Sequence, residues 1–351
     1  MILNYQEHRI SRIYLMLGSS CNFKCKYCIQ TDSCINNTNA MSKDTIDYIW
    51  HLIKIRPSYK NKLNIMLWGG EPLLYWNIIV SVVNEFKDNV TYSMVTNGSL
   101  LTKEKVEFIN KYNINIALSN DGINTKDTRN INILDNDKIK DLFMSINNKE
   151  ICAVISGYNY NYQELLDYFH NKIGDVHVNI ENLKVTWDMP QDIYNINIDK
   201  YKEHIHKLAE IAYKDILNMN MSREVMIFLP YLNRIANYQN TTPITCGQMY
   251  FSMNIDLSGN IYNCHNSNKP IGTVKDNRLY LLEQQNKWIQ DNMPANCKTC
   301  RYFLLCKGGC PNELIKNNER YSCSYLKIFY EQVYWIANSL ENQFENVELE
   351  V

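Results

Sequence analysis

The chain has no surplus of charge: 36 lysines and arginines stand against 37 aspartates and glutamates, a formal net charge of -1. Sequence-independent nucleic-acid binding needs a basic excess to neutralise phosphates, so no nucleic-acid partner is expected. Long apolar runs are also lacking. No window approaches the ~18 consecutive apolar residues of a membrane span. The opening residues, MILNYQEHR, do not have the basic-then-apolar order of a secretory signal. Both absences predict a cytoplasmic protein with no membrane partner. There is no internal repeat and no low-complexity tract long enough to force disorder. With 351 residues, 45% apolar and 21% charged, the chain reads as one large globular unit or a domain with an appendage. A disordered tail protein and a coiled coil are excluded.

Cysteine, by contrast, is abundant. Twelve cysteines in a reducing compartment are hard to read as disulfides, so metal ligation or catalysis is the expected use. Cys21, Cys25, Cys28 and Cys34 lie near the N-terminus, Cys152 stands alone, and seven crowd between Cys246 and Cys323. That asymmetry predicts two domains. From residue 10 to about 220, β-rich runs alternate with helical patterns, which predicts βα units around a parallel sheet. Strands are expected at Ile13–Leu17, Leu63–Trp68, Thr91–Thr96, Ile114–Ser119, Ile151–Ile155 and Val176–Ile180. Helices are expected at Asp44–Ile55 after an Ser42 N-cap, and at Asn77–Lys87, Lys103–Tyr112, Tyr162–Lys172, Asp199–Met219 and Tyr325–Phe344. Six βα units are too few to close an eight-stranded barrel. Pro230 and Pro243 bracket the stretch where the domains would join.

Cys21, Cys25 and Cys28 place three thiols in one tight loop after the first strand. Three thiolates can hold three irons of a four-iron cluster, leaving the fourth iron for another ligand. The plainer reading is zinc, but tetrahedral zinc wants a fourth protein ligand nearby, and the local candidate is Cys34. With Tyr27 before the last cysteine, the segment resembles the radical S-adenosylmethionine superfamily, whose motif is C-x3-C-x2-C. Other strand ends agree with it. Gly69-Gly70-Glu71-Pro72, Thr96-Asn97-Gly98 and Ser119-Asn120-Asp121-Gly122 each read singly as an ordinary turn. Together they lie at the C-terminal strand edge, where parallel βα barrels build their ligand sites.

The resemblance implies an α/β fold, a partial (β/α)6 barrel over residues 1–225. Cys21, Cys25 and Cys28 would carry a catalytic [4Fe-4S] cluster, with Tyr27 as the motif aromatic. Gly69, Gly70 and Glu71 would face the methionine ammonium of S-adenosylmethionine. Ser119 and Asn97 would contact the ribose, and Asp121 would either join the cofactor site or cap the following turn.

Cys246, Gly259 and Cys264, then Cys297, Cys300, Cys306, Cys310 and Cys323, follow the spacing Cx9–15Gx4C…Cx2Cx5Cx3C…C. This resembles the SPASM domain found behind many such enzymes, expected here over 226–335, bridging region included, with 336–351 as helix end and tail. By resemblance, two auxiliary clusters bring the total to three [4Fe-4S] clusters. One would take Cys297, Cys300, Cys306 and Cys323, and the other Cys246, Cys264 and Cys310. The second set lacks a fourth thiolate. A substrate thiol could complete it, or Asp256, Cys34 or Cys152. The alternative of a four-cysteine zinc ribbon leaves Cys246, Cys264 and Cys323 unexplained.

Three catalytic candidates remain. His265, next to a ligand, could accept a proton near neutral pH, or be a surface histidine bonded to the ligand loop. Sulfatase-maturing relatives typically carry an aspartate there and one more cysteine, and this chain has neither. Cys152 and Cys34 could donate a hydrogen atom to a carbon radical, although a strand cysteine such as Cys152 is most commonly buried and unreactive. Glu181 could face substrate or form an ion pair at the rim. The resemblance implies hydrogen abstraction by a 5'-deoxyadenosyl radical from a ribosomally made precursor peptide, giving a thioether or carbon–carbon crosslink or an epimerised residue. Sulfatase maturation, oxidation of a small molecule and a zinc-binding adaptor are the alternatives. The implied partners are the peptide, a separate leader-binding protein, and flavodoxin or ferredoxin as electron donor.

Overall fold

The computed structural model describes residues 9–30, 39–57, 60–237, 246 and 248–348, with side chains placed as far as residue 343. Cys34 and Pro243 lie outside the described residues. By packing, the chain divides into two units: residues 1–120, 129–152 and 246–292, and residues 121–128, 153–245 and 293–351.

In the first unit the strands are β1 (Arg12–Met16), β2 (Asn64–Trp68), β3 (Thr91–Thr96), β4 (Asn115–Ser119) and the start of β5 (Lys149–Ile155). The helices between them are α1 (Lys43–Lys54), α2 (Trp76–Phe86), α3 (Lys103–Lys111) and α4 (Asp137–Met144). Ser42 caps α1 as expected, its Oγ accepting from Thr45 N at 3.2 Å. β1 to β5 pair in parallel and in sequence order. Their periodicity comes from one in-register row. Leu15, Leu67, Met94 and Ile116 lie side by side and are all 0% exposed. Each such burial contributes about 1.5–3 kcal/mol. The opposite face carries Tyr14, Met66, Ser93 and Asn115, a mixed aromatic and polar row.

Three strands of this unit were not expected. β7 (Ser252–Asp256) pairs in parallel with the free edge of β1, and β8 (Asn260–Tyr262) and β9 (Pro270–Thr273) follow antiparallel. Asn254 and Asp256 stand beside Tyr14 and Met16, while Ile255 extends the buried row at Leu15. A helix, here α8 (Arg278–Asp291), closes the unit.

In the second unit β5 ends and β6 (His177–Asn182) follows as the last strand in the sheet order. Its helices are α5 (Tyr162–Ile173), α6 (Ile198–Leu217), α7 (Arg223–Ala236) and α9 (Cys323–Glu348). They share an aromatic core in which Phe228 stacks on Phe329 at 5.2 Å and 7° and Tyr201 is wholly buried. α9 buries Tyr325, Phe329, Val333 and Ile336, the apolar stripe expected of a packing helix. Pro230, read as a boundary, sits inside α7. Its ring removes one helical hydrogen bond, but the Ser222 cap and the buried Val225 and Phe228 carry the helix through it. The boundary expected at 225/226 therefore falls within α7.

Candidate active site

After β1 the chain turns through Cys21, Cys25 and Cys28. Cys28 N donates to Cys25 O at 3.1 Å, and Phe23 N donates to the Cys21 Sγ at 3.3 Å. The loop is held by the end of β2: Gly70 N donates to Gly18 O at 3.0 Å and Glu71 N to Ser20 O at 2.9 Å. This approach requires glycine. A Cβ on Gly70 would lie 2.4 Å from the carbonyl oxygens of Ser19 and Ser20, and one on Gly69 2.8 Å from that of Gly18.

Glu71 is buried and its carboxylate is engaged internally. Oε1 accepts from Leu73 N at 2.9 Å and Thr96 Oγ1 at 2.6 Å, and Oε2 from Asn97 N at 2.8 Å. Burial pushes its pKa up against those three donors. The side chain clasps the end of β2 to the end of β3. Asn97 is likewise a loop anchor. Its Nδ2 donates to Asn22 Oδ1 at 2.9 Å, and Asn22 Nδ2 donates to Ser99 Oγ at 2.9 Å. On the other side Arg129 stacks over Tyr27 at 5.2 Å and Asn130 Nδ2 donates to Lys24 O at 3.0 Å. Asn22, Ser99 and Arg129 were missed in the sequence, because an asparagine pair or a lone arginine carries no recognisable spacing.

Ser119 and Cys152 are register partners at the ends of β4 and β5. By parity they share the face of Tyr14 and Ser93, and Cys152 is buried there. Asp121 belongs to the second unit and is 0% exposed. Its Oδ1 accepts from Val154 N at 3.0 Å and its Oδ2 from Thr128 Oγ1 at 2.6 Å. Its carboxylate pins the local backbone, and the expected side-chain cap of the following turn does not form.

His265 is not a surface histidine. Its ring stacks on Tyr14 at 4.4 Å and meets Trp68 edge-on at 4.3 Å, with Gln248 Nε2 at 3.3 Å from Nδ1. Desolvation lowers its pKa to about 3, so it is neutral near pH 7 and a poor proton acceptor. Asp256 is engaged as well. Its oxygens accept from Ser258 N and Asn260 N at 2.9 Å, from Asn260 Nδ2 at 2.8 Å and from Tyr262 Oη at 2.9 Å. It staples the β7–β8 turn and has no oxygen left for iron.

In the second unit Cys297, Cys300, Cys306 and Cys323 line one cavity, with Tyr302 and Tyr330 beside them. Burial first, then one another's negative charge, pushes the Cys297, Cys306 and Cys323 thiols up, Cys323 to about 11. Arg320 and Lys184 oppose that rise. Lys184 is held above its usual range against burial by Cys310, Glu313 and Glu181. Cys21 behaves similarly: burial raises it, and Glu71 and Cys28 add to the rise. Crowded thiols of this kind ionise when a metal takes the proton's place. Backbone N–H donors to cluster-type sulfurs, seen at Cys21 and again from Asn266 N to Cys264 Sγ at 3.4 Å, also suit iron–sulfur ligation. Among the described residues no group of three His, Cys, Asp or Glu converges as a single metal ion would require. Cys246 and Cys264 lie in the first unit and Cys310 in the second.

A thiol loop after the first strand of a parallel α/β sheet is docked here on a Gly-Gly-Glu strand end. Residues 15–135 match the Radical SAM superfamily. Over 88% of its length the chain is 27% identical to the radical SAM cyclopropyl synthase TigE of Paramaledivibacter caminithermalis, covering 72% of that protein. It is 22% identical over 90% of its length to a cysteine-type anaerobic sulfatase-maturating enzyme of Clostridium perfringens, covering 94% of it. Two solved structures share the fold. anSMEcpe with bound AdoMet superposes with a TM-score of 0.70 at 18% identity, covering 95% of this chain and 100% of that one. Streptococcus suis SuiB bound to precursor peptide SuiA gives 0.55 at 15% identity, covering 89% and 77%. Residues 15–135 thus carry a Radical SAM domain, and the chain has the α/β parallel-sheet fold seen in these SPASM-type structures. No described helix is long and apolar enough to cross a membrane.

Proposed function

We propose that this enzyme modifies a ribosomally made precursor peptide, forming a thioether or carbon–carbon crosslink or an epimerised residue. Cys21, Cys25 and Cys28 would hold the catalytic [4Fe-4S] cluster. When cluster and S-adenosylmethionine are bound, they supply hydrogen abstraction by a 5'-deoxyadenosyl radical. The chain's own residues then have defined tasks. Gly69 and Gly70 present the backbone close to the loop, Asn97 and Glu71 fix its height, and Tyr27 with Arg129 closes its flank. Ser119 offers a half-buried hydroxyl, and Tyr14, Trp68 and neutral His265 form an aromatic wall that excludes water. Cys152, on the same sheet face, is the candidate hydrogen donor.

The observation that carries this reading is the gathering of Cys297, Cys300, Cys306 and Cys323 around one cavity in the second unit, in a chain whose first unit has its own three-thiol loop. A cofactor-poor adaptor has no need of both. Cys246, Cys264 and Cys310 would hold a second auxiliary cluster, making three in all. The peptide substrate is supported by the peptide-bound SuiB relative, and a cytoplasmic setting with flavodoxin or ferredoxin as donor fits low-potential chemistry. A separate leader-binding protein belongs to the same proposal. Similarity to the sulfatase-maturating enzyme favours a second reading, oxidation of a protein cysteine or of a small molecule.

The test begins with anaerobically reconstituted enzyme and dithionite. Free methionine and 5'-deoxyadenosine are expected, followed by a mass loss of two hydrogens, or solvent-isotope incorporation without it, in candidate peptides. Zinc without acid-labile sulfide would establish the adaptor instead. Turnover of sulfatase peptides or alcohols, with precursor peptides untouched, would establish the second reading.

A further inference from the structure

β6 is the terminal strand of the sheet order, paired on one side with β5. Among the described residues no strand pairs its other edge. Its sequence, HVNIEN, contains neither proline nor lysine, the residues that commonly block an edge. A groove of about 510 Å³ runs there, lined by His177, Val178, Asn179 and Ile180 in succession. A groove over a sheet face would touch every second residue. One that touches each in turn runs along the edge, beside the main-chain N–H and C=O groups.

The facing wall is α7, which contributes Met226, Ile227, Tyr231 and Arg234. Met226 is 40% exposed. Pro230 has no N–H to give, so the Met226 carbonyl loses its helical donor on this wall. The charges divide unevenly. Arg223 is paired with Asp167 and Glu224, and His170 with Asp175. Arg234 lies over the Tyr231 ring at 5.1 Å and donates to Leu305 O at 2.9 Å. Among the described residues no carboxylate pairs with it. An unpaired strand edge, an apolar wall and one uncompensated cation are the complement of an extended peptide that carries a carboxylate.

We propose that this groove binds an extended, acidic segment of the substrate peptide by adding a strand to β6. Apolar side chains at alternate positions seat against Met226, Ile227 and Tyr231, and a carboxylate meets Arg234. Only the assignment of the bound segment to the substrate rests on the peptide-maturase reading. None of the groove's lining residues belongs to the thiol loop or to the strand ends that hold it, so the groove supplies affinity and register.

The test uses reconstituted full-length enzyme and a phage-displayed library of random twelve-residue peptides. Enriched peptides are resynthesised and their affinities measured by fluorescence anisotropy, with hydrogen exchange followed across the chain. Peptides alternating apolar residues and carrying Asp or Glu are expected. They should slow exchange at 177–182 and bind about tenfold more weakly to Arg234→Gln and to Met226→Glu. Both variants should keep wild-type iron content and melting temperature, and Ile227→Arg substitutes for either that does not. Lack of enrichment, protection elsewhere, or undiminished binding by the variants overturns the proposal. So does a concentration-dependent dimer abolished by the same variants, which would assign the edge to a second copy. Binding at β6 by a chain that releases no methionine leaves the groove standing and sinks the maturase reading. Peptide modification without protection of 177–182 sinks the groove alone.

Discussion

Gly70→Ala tests whether the thiol loop is held by backbone contact. The added methyl carbon would sit 2.4 Å from two carbonyl oxygens, those of Ser19 and Ser20, where ordinary contact begins at 3.4 Å. Neither neighbour is a flexible side chain, so the loop itself must retreat by about 1 Å. That movement takes the Gly70 N to Gly18 O bond of 3.0 Å and the Glu71 N to Ser20 O bond of 2.9 Å out of range. Two net hydrogen bonds at about 1 kcal/mol each and an overpacking cost of about 1–3 kcal/mol give about 3–5 kcal/mol. This is a large part of the marginal stability of a folded domain, and it falls on the segment that carries Cys21.

The assay is iron and sulfide per chain after anaerobic reconstitution, with methionine release and thermal unfolding measured on the same samples. Gly70→Ala should lose about four irons and nearly all methionine release while keeping the C-terminal thiol sites loaded. Gly69→Ala meets one oxygen at 2.8 Å and should lose less of each. If Gly70→Ala binds a full complement of iron and releases methionine at the wild-type rate, the two strand ends do not hold the loop. The site as assembled here would then be wrong.

Replacing Cys300 or Cys323 by serine should remove about four irons per chain while leaving methionine release largely intact, since the first-strand thiols are untouched; electron paramagnetic resonance counts the clusters. Asp256→Ala should destabilise by about 1–3 kcal/mol, through the stranded Tyr262 hydroxyl and Asn260 amide, with no change in iron. Iron loss in that variant at unchanged melting temperature would restore Asp256 as a ligand. His265 is held neutral with its pKa lowered to about 3 from 6.5. The unfolded chain therefore binds more protons between those values, so stability present above pH 6.5 is lost as pH falls toward 3. Urea melts of His265→Gln should show a shallower acid slope than wild type. Glu71 acts with the opposite sign: its raised pKa means stability falls as pH climbs above 4.5, and Glu71→Gln should remove that fall.

Most of the parallel sheet was legible because its elements obey one local rule. β3 runs over Thr91–Thr96, as its β-branched and aromatic content predicts, and β1, β2 and β4 differ from expectation only at their ends. β7 was not legible. Its sequence, SMNID, has Ser, Asn and Asp where alternation would ask for apolar residues, yet all five are buried. The Asn254 amide nitrogen is taken up by Gln248 and the Asp256 carboxylate by the β7–β8 turn, which is tertiary information. Pro230 misled for the converse reason, a strong local breaker overridden by a capped amphipathic helix. At the site, the place of the Cys21, Cys25 and Cys28 loop after the first strand was legible because thiols at fixed spacing stand out in a sequence. The roles of Glu71, Asp121 and Asp256 were not. A carboxylate at a strand end reads alike whether it faces a ligand or a backbone N–H, and only the hydrogen-bond partners decide.

The two-residue period of the strands also explains why the chemistry lies where it does. Leu15, Leu67, Met94 and Ile116 form one row, and every residue one step away in each strand belongs to the opposite face. That step places Tyr14, Trp68, Ser93, Ser119 and Cys152 on a common side without any of them needing to attract another. A one-residue slip of β4 against β3 would turn Ser119 and Ala117 to the apolar face and bring Leu118 to the other. The slip is opposed by the burial of Ile116 and Leu118, each worth about 1.5–3 kcal/mol. Hydrophobic burial on one face therefore sets the positional accuracy of the polar face. Conservative apolar changes at Leu118 should reach Ser119 before they unfold the sheet: Leu118→Ala, which also leaves a void beside Gly98, should weaken S-adenosylmethionine binding at a temperature where circular dichroism is still native. Unchanged binding across the whole range below the melting transition would show that the strand end is held by something other than its register.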